Sequence, residues 1–135
     1  ALPISIVEST RMPTSPIWLW IAAALCCATF LLHLIPGSKD NVPPLLNSDM
    51  RAQPKFTNYY CWHLVTITIL AMALFFAIAA LYPEAWELGL ASTIISGTFT
   101  LLSVAIIAKS GLKPWLLPQW LFFGPIFVAG TIAFI

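Results

Sequence analysis

Residues 59–82 read YYCWHLVTITILAMALFFAIAALY and contain no Asp, Glu, Lys or Arg. A helix needs roughly 20 apolar residues to cross about 30 Å of hydrocarbon, and this stretch has that length. Residues 17–35, 88–108 and 114–135 have the same character. We therefore predict four transmembrane helices, because a helix pairs its own backbone polar groups where lipid offers no partner.

The composition of the whole chain agrees with this prediction. Hydrophobic residues make up 60% of the 135 residues, charged residues make up 8%, and the mean hydropathy is +0.92. A typical soluble domain has roughly 45–50% apolar and about 25% charged residues. An ordinary soluble enzyme is excluded, and a net charge of +1 argues against a nucleic-acid partner. The sequence predicts a single membrane domain over residues 1–135, an all-α integral membrane protein whose four helices form an antiparallel up-down bundle.

The basic residues predict how this bundle is oriented. In an up-down bundle the connections 36–58 and 109–113 lie on the same side of the membrane. They hold five of the six basic residues, namely Lys39, Arg51, Lys55, Lys109 and Lys113. Cytoplasmic loops are enriched in Lys and Arg, so we expect this side to be cytoplasmic and both termini to be non-cytoplasmic. We expect a multi-pass protein of a bacterial inner (cytoplasmic) membrane.

Prolines shape the predictions for the segments outside the helices. Pro36 is expected to end the first helix, and Pro43, Pro44 and Pro54 are expected to keep residues 36–58 from forming a continuous helix. Helix connections in bundles usually have about 2–8 residues, so a loop of this length indicates contact with the membrane surface or a partner subunit. Residues 1–16 also contain prolines and are predicted to form an irregular extension on the opposite side.

The two histidines are the candidate cofactor ligands. His33 is near the end of the first predicted helix and His63 is near the start of the second, on helices that form a hairpin. Neutral imidazoles on two helices could ligate a haem b iron, although neither predicted helix contains a glycine that would make room for the porphyrin. The alternative is that each histidine reaches water or a backbone carbonyl at the interface. We expect no resident cofactor, with haem b or a surface-bound pigment or lipid left as alternatives.

The three cysteines do not follow a metal-binding pattern. Cys26 and Cys27 are adjacent, and the spacing from Cys61 to His63 matches no zinc motif. We expect no metal site and free thiols within the membrane region.

The third predicted helix carries two stripes of small residues. They are Gly89, Ser92, Thr93, Ser96, Gly97, Thr100 and Ser103. Small residues let helices approach closely, and hydroxyls can form hydrogen bonds across the contact or to a preceding carbonyl. We interpret this face as a packing surface for helices of the same bundle or of another protein. A path for a neutral solute along the hydroxyl groups is the alternative.

No charged residue lies inside a predicted helix, which argues against a pump or an ion-coupled transporter. The sequence also carries no catalytic signature, so we expect a protein that is not an enzyme. The leading hypothesis is a small accessory, stabilising or assembly subunit of a larger membrane complex. Respiratory and photosynthetic electron-transfer complexes are the suggested hosts, and lipids and other integral membrane subunits are the expected partners. A haem b anchor that uses His33 and His63, or a small channel or carrier for neutral solutes, are the alternatives.

Overall fold

The computed structural model describes residues 14–135, and these residues form helices and turns without a strand. The all-helical class predicted from the sequence is thereby confirmed for this part of the chain. The predicted extension over residues 1–16 lies almost wholly outside the described residues. Two short 3-10 turns, Pro83–Ala85 and Pro114–Leu116, precede the last two helices. The other elements are α1 (Pro16–Leu32), a π-helical turn (His33–Gly37), α2 (Ser38–Leu46), α3 (Ala52–Leu81), α4 (Trp86–Ser110) and α5 (Gln119–Ala133).

Three helical segments are long and apolar enough to cross a membrane: Pro16–Leu46, Ala52–Leu81 and Pro83–Ser110. The fourth apolar helix, α5, has 15 residues and is therefore about 22 Å long. It is shorter than the predicted span of residues 114–135, because Leu117 and Pro118 interrupt the helix after the 3-10 turn.

The prediction that the first helix ends at Pro36 is wrong. In an α-helix a proline ring collides with the carbonyl four residues earlier and supplies no amide hydrogen. The chain instead forms a π-helical turn over His33–Gly37, with Pro36 inside it, and then continues as α2. A π turn spaces its hydrogen-bonded groups five residues apart, so the proline does not terminate the helix. Residues 16–46 thus form one helical segment of 31 residues.

The predicted loop over residues 36–58 is wrong in its extent, although this segment does not form one continuous helix. Only residues 47–51 are non-helical in this region, and they form a tight turn between α2 and α3. Pro54 lies in the first turn of α3, where a missing amide hydrogen costs little. Lys55 Nζ donates a hydrogen bond of 3.1 Å to the Leu46 carbonyl oxygen across the turn. Residues 38–58 are therefore the top of a helical hairpin.

Ends of the four apolar helices meet at one end of the bundle. Gly89 at the start of α4 lies close to Leu19 of α1, Ala79 of α3 and Phe134 after α5, so these helix ends meet at one end of the bundle. The Ser15 amide donates a hydrogen bond of 2.8 Å to the Ala133 carbonyl at the same end. We call it the closed end.

The core is concentrated at the closed end. Its buried members are Leu19, Ala22, Ala23, Cys26 and Thr29 on α1, Ile69, Met72, Ala73, Phe76 and Ala79 on α3, Gly89, Ser92, Thr93, Ser96, Gly97 and Ser103 on α4, and Phe123, Ile126, Ala129, Gly130 and Ala133 on α5. No residue from 30 to 68 is buried. The hairpin of α1, α2 and α3 therefore diverges from α4 and α5 at the other end, which we call the open end.

Candidate binding cleft

A cleft with a volume of about 590 Å³ occupies the open end. One wall is the hairpin, which contributes the π turn and the start of α2 together with the facing side of α3. The opposite wall is formed by residues 116–119 and by Phe122 and Phe123 on α5. Ligand pockets in proteins typically have volumes of about 300–1,000 Å³, so this cleft is large enough for a small organic molecule or part of a lipid.

Trp62 holds the hairpin wall together. Its ring stacks on the His33 ring with the centroids 4.0 Å apart and the planes 18° from parallel. Its indole Nε1 donates a hydrogen bond of 3.1 Å to Ser38 Oγ at the start of α2. A Cβ atom at Gly37 would lie 3.4 Å from two atoms of the Trp62 ring, an ordinary contact distance, so the indole lies directly against the π turn. These contacts join α3 to the π turn and to the start of α2, where Pro36 would otherwise interrupt the helix.

The mouth of the cleft is lined by polar groups that mostly accept hydrogen bonds. Asn41 Nδ2 donates to the Gly37 carbonyl and Asn58 Nδ2 donates to the Pro54 carbonyl, both at 2.8 Å. These bonds direct the amide nitrogens toward the helix backbone and leave both side-chain oxygens without a donor in residues 14–135. Asp40 is the only Asp, Glu, Lys or Arg among the lining residues. The mouth therefore combines one carboxylate with two amide oxygens, and Gln119 on the opposite wall adds an amide that can both donate and accept hydrogen bonds.

The inner part of the cleft is apolar. Val65 and Ile69 of α3 line it from one side, and Phe122 and Phe123 of α5 line it from the other. Eleven residues separate Asn58 at the mouth from Ile69, which corresponds to about 16 Å along a helix axis. The cleft thus changes from polar to apolar over the depth of a lipid headgroup and the first part of its chains.

The structure gives the two predicted histidine ligands different surroundings. His33 lines the cleft, and its Nε2 donates a hydrogen bond of 3.3 Å to the Trp62 carbonyl oxygen. His63 does not line the cleft, and its ring packs edge-on against Tyr59 with the centroids 4.6 Å apart. A haem iron between the two imidazoles would require both rings to leave these contacts. The bis-histidine haem stays a prediction that this arrangement does not support.

The small-residue face of α4 is buried inside the chain's own bundle. A Cβ atom at Gly97 would lie 2.8 Å from two atoms of the Phe127 ring, and one at Gly130 would collide with the Thr93 side chain. The α4 and α5 backbones are therefore in close contact through this face. It is occupied by the chain itself and is not a surface open to another protein.

Most hydroxyls on this face bond to nearby carbonyls. Thr93 Oγ1 donates to Gly89, Ser96 Oγ donates to Thr93, and Thr100 Oγ1 donates to Ser96, each at 2.8 Å. Ser103 Oγ contacts the Leu117 carbonyl at 3.4 Å. Ser92 Oγ is buried and has no partner within residues 14–135. A neutral-solute path along this face would have to separate packed helices and break these bonds.

The cysteines are dispersed over three environments. Cys26 is buried in the core, Cys27 is exposed, and Cys61 is exposed and lines the cleft; all three are free thiols. Across the described chain, no group of three His, Cys, Asp or Glu side chains has a geometry suited to a metal ion.

Most of the cleft is not predicted by the sequence, which places Asp40, Asn41 and Asn58 in a loop. One signal was available: Asn41 lies four residues after Gly37, and Asn58 lies four residues after Pro54. This spacing suits a side-chain bond to a helix carbonyl, and it would have suggested that the segment is helical.

Comparison with known proteins gives no functional assignment. No family model matches this chain, and no curated protein or solved structure shows significant similarity to it.

Proposed function

We propose that this chain is a multi-pass integral membrane protein that serves as a non-catalytic accessory or assembly subunit of a larger membrane complex. Three helices long enough to cross a membrane support the membrane location. In this proposal the segment from Pro114 to Ile135 adds a fourth span, and the membrane is a bacterial inner membrane. Respiratory and photosynthetic electron-transfer complexes are the proposed hosts.

The observation that carries the proposal is how the polar groups are distributed. The charged residues of the described chain lie on α2, at helix ends or in turns, namely Lys39, Asp40, Asp49, Arg51, Lys55, Glu84, Glu87, Lys109 and Lys113. Inside the bundle most hydroxyls bond to nearby carbonyls. The interior therefore has no ionised side chain with which to relay protons or couple ions, and a structural role is the function that remains best supported.

We propose that partner subunits contact surfaces that the chain leaves exposed. Of the two predicted contact regions, the small-residue face of α4 packs within the chain, whereas the segment 36–58 contains no buried residue. The outer faces of the helices stay apolar and exposed, with Ile67 at 64% and Leu101 at 72% exposure. We propose that lipids and other membrane subunits share these outer faces.

The subunit role is tested by isolating the tagged chain from its native membranes in a mild detergent. We expect it to migrate on a native gel as part of a larger assembly, and we expect deletion of its gene to lower the amount of that assembly. If the chain migrates as a free monomer and its deletion leaves every large membrane assembly unchanged, the proposal is wrong.

The proposed orientation is tested separately with single cysteines in a cysteine-free background. Ser48→Cys places a thiol in the turn between α2 and α3, and Glu84→Cys places one in the turn between α3 and α4. We expect a membrane-impermeant maleimide to label Glu84→Cys from the periplasmic side and Ser48→Cys only after the membrane is opened. The reverse pattern would show that the basic connections face outward.

A further inference from the structure

We propose that the cleft at the open end binds an amine-bearing membrane phospholipid of the phosphatidylethanolamine type. Its ammonium group would lie at the mouth, beside Asp40, and the upper part of its chains would lie in the apolar interior. Such binding requires only a bilayer around the helices and does not depend on a partner complex.

The charge and hydrogen-bonding capacity of the mouth determine the headgroup. A carboxylate and two amide oxygens, those of Asp40, Asn41 and Asn58, can receive the three N–H donors of a primary ammonium group. Hydrogen bonds to charged groups are stronger than those between neutral groups, which favours an ammonium over a hydroxyl. An anionic headgroup without an amine would offer these oxygens no ammonium donor, whereas the phosphate that every phospholipid carries can accept a hydrogen bond from the Gln119 amide on the opposite wall.

The depth of the cleft determines the rest of the ligand. Its polar mouth lies beside the hydrophilic top of the hairpin, and Phe122, Phe123, Val65 and Ile69 line the interior. The change from polar to apolar lining over about 16 Å matches a molecule with a polar head and hydrocarbon chains. A lipid of the surrounding bilayer has this form and is present at high local concentration.

Three lipids with the same acyl chains separate the contributions of the headgroup. Dioleoyl phosphatidylethanolamine carries a cation with N–H donors, the phosphatidylcholine carries a cation without them, and the phosphatidylglycerol carries no cation. Native mass spectrometry of the purified full chain, titrated with each lipid, measures binding. We expect phosphatidylethanolamine to bind about tenfold more tightly than phosphatidylglycerol, with phosphatidylcholine between them. Equal binding of the three lipids, or tighter binding of phosphatidylglycerol, would overturn the proposal.

Two aspartates provide a matched pair of variants. Asp40→Asn removes the carboxylate at the mouth, whereas Asp49→Asn removes one in the exposed turn that does not line the cleft. We expect Asp40→Asn to weaken phosphatidylethanolamine binding about tenfold and Asp49→Asn to leave it unchanged. If the two variants bind this lipid equally well, Asp40 does not hold the headgroup and the proposal fails.

Two native cysteines locate the lipid without any substitution. Cys61 lines the cleft, and Cys27 is exposed outside it. Saturation with phosphatidylethanolamine is expected to slow alkylation of Cys61 by N-ethylmaleimide at least fivefold relative to Cys27, since a chain in the cleft covers that thiol. Equal slowing of both thiols would show that lipid only coats the helices, and no slowing would show that the cleft stays empty.

Discussion

The contact between α4 and α5 allows a direct test of the packing, because there is no space for an added methyl group at Gly130. A Cβ atom there would collide with Thr93 Oγ1 and would lie 3.0 Å from Thr93 Cβ and Cγ2. Thr93 is buried, and its Cβ atom cannot move without its backbone. Gly130→Ala should therefore force the two helices apart.

The magnitude follows from comparison with Gly124 on the same helix. A Cβ atom at Gly124 would meet only Thr100 Cγ2, at an ordinary contact distance of 3.8 Å. Gly130→Ala gains about 1 kcal/mol of helix propensity but carries an overpacking cost of about 1–3 kcal/mol. Gly124→Ala has no overpacking cost, and its propensity gain is reduced because Pro125 follows it. We expect Gly130→Ala to be less stable than Gly124→Ala by about 1–2 kcal/mol, because the overpacking cost at Gly130 exceeds the penalty that a Cβ atom before Pro125 adds at Gly124.

The free energy of unfolding can be measured by titrating the detergent-solubilised protein with sodium dodecyl sulfate and following circular dichroism. Adding Thr93→Ala removes two of the three colliding atoms, so the double variant should recover about 1 kcal/mol relative to the sum of the single effects. If Gly130→Ala is as stable as Gly124→Ala, the close approach of α4 and α5 at this position is refuted.

Two further predictions concern other contacts. Trp62→Phe keeps an aromatic ring beside His33 but loses the indole donor to Ser38. Hydrogen exchange of the α2 amides should therefore become about fivefold faster. Adding Ser38→Ala to Trp62→Phe should not increase the exchange rate further. Gly97→Leu places a side chain against the Phe127 ring and should destabilise the bundle by about 1–3 kcal/mol, whereas Ser110→Leu at the exposed end of α4 should change its stability by less than about 0.5 kcal/mol. Equal unfolding curves for these two leucine variants would contradict the second prediction.

The prolines show a structural feature that local sequence rules do not predict. Pro36, Pro43 and Pro44 all lie inside helical segments, although each removes an amide hydrogen from the helix. The π turn accommodates Pro36, and the packing of Trp62 on Gly37 and its bond to Ser38 hold that turn against α3. These stabilising contacts join residues 24 or more positions apart, which a local pattern of residues does not reveal.

The packing partner of the small-residue face of α4 is likewise set by residues distant in the sequence. The sequence predicts the position of this face on α4, because glycine, serine and threonine recur every four residues on one side of the helix. Whether the surface packs inside the bundle or against another protein depended on where Gly130 and Phe127 of α5 lie. A helix face has the same composition in both cases, so only the packed structure distinguishes them.

What the sequence determined by itself is the set of apolar helices, because the free-energy cost of exposing backbone polar groups to lipid acts on each segment separately. The tertiary structure decided that the first helix continues through Pro36, that His33 and His63 have different neighbours, and that the open end forms a cleft with Asp40 at its mouth. Each of these depends on the distance between groups far apart in the chain, and that distance is set by how the helices pack.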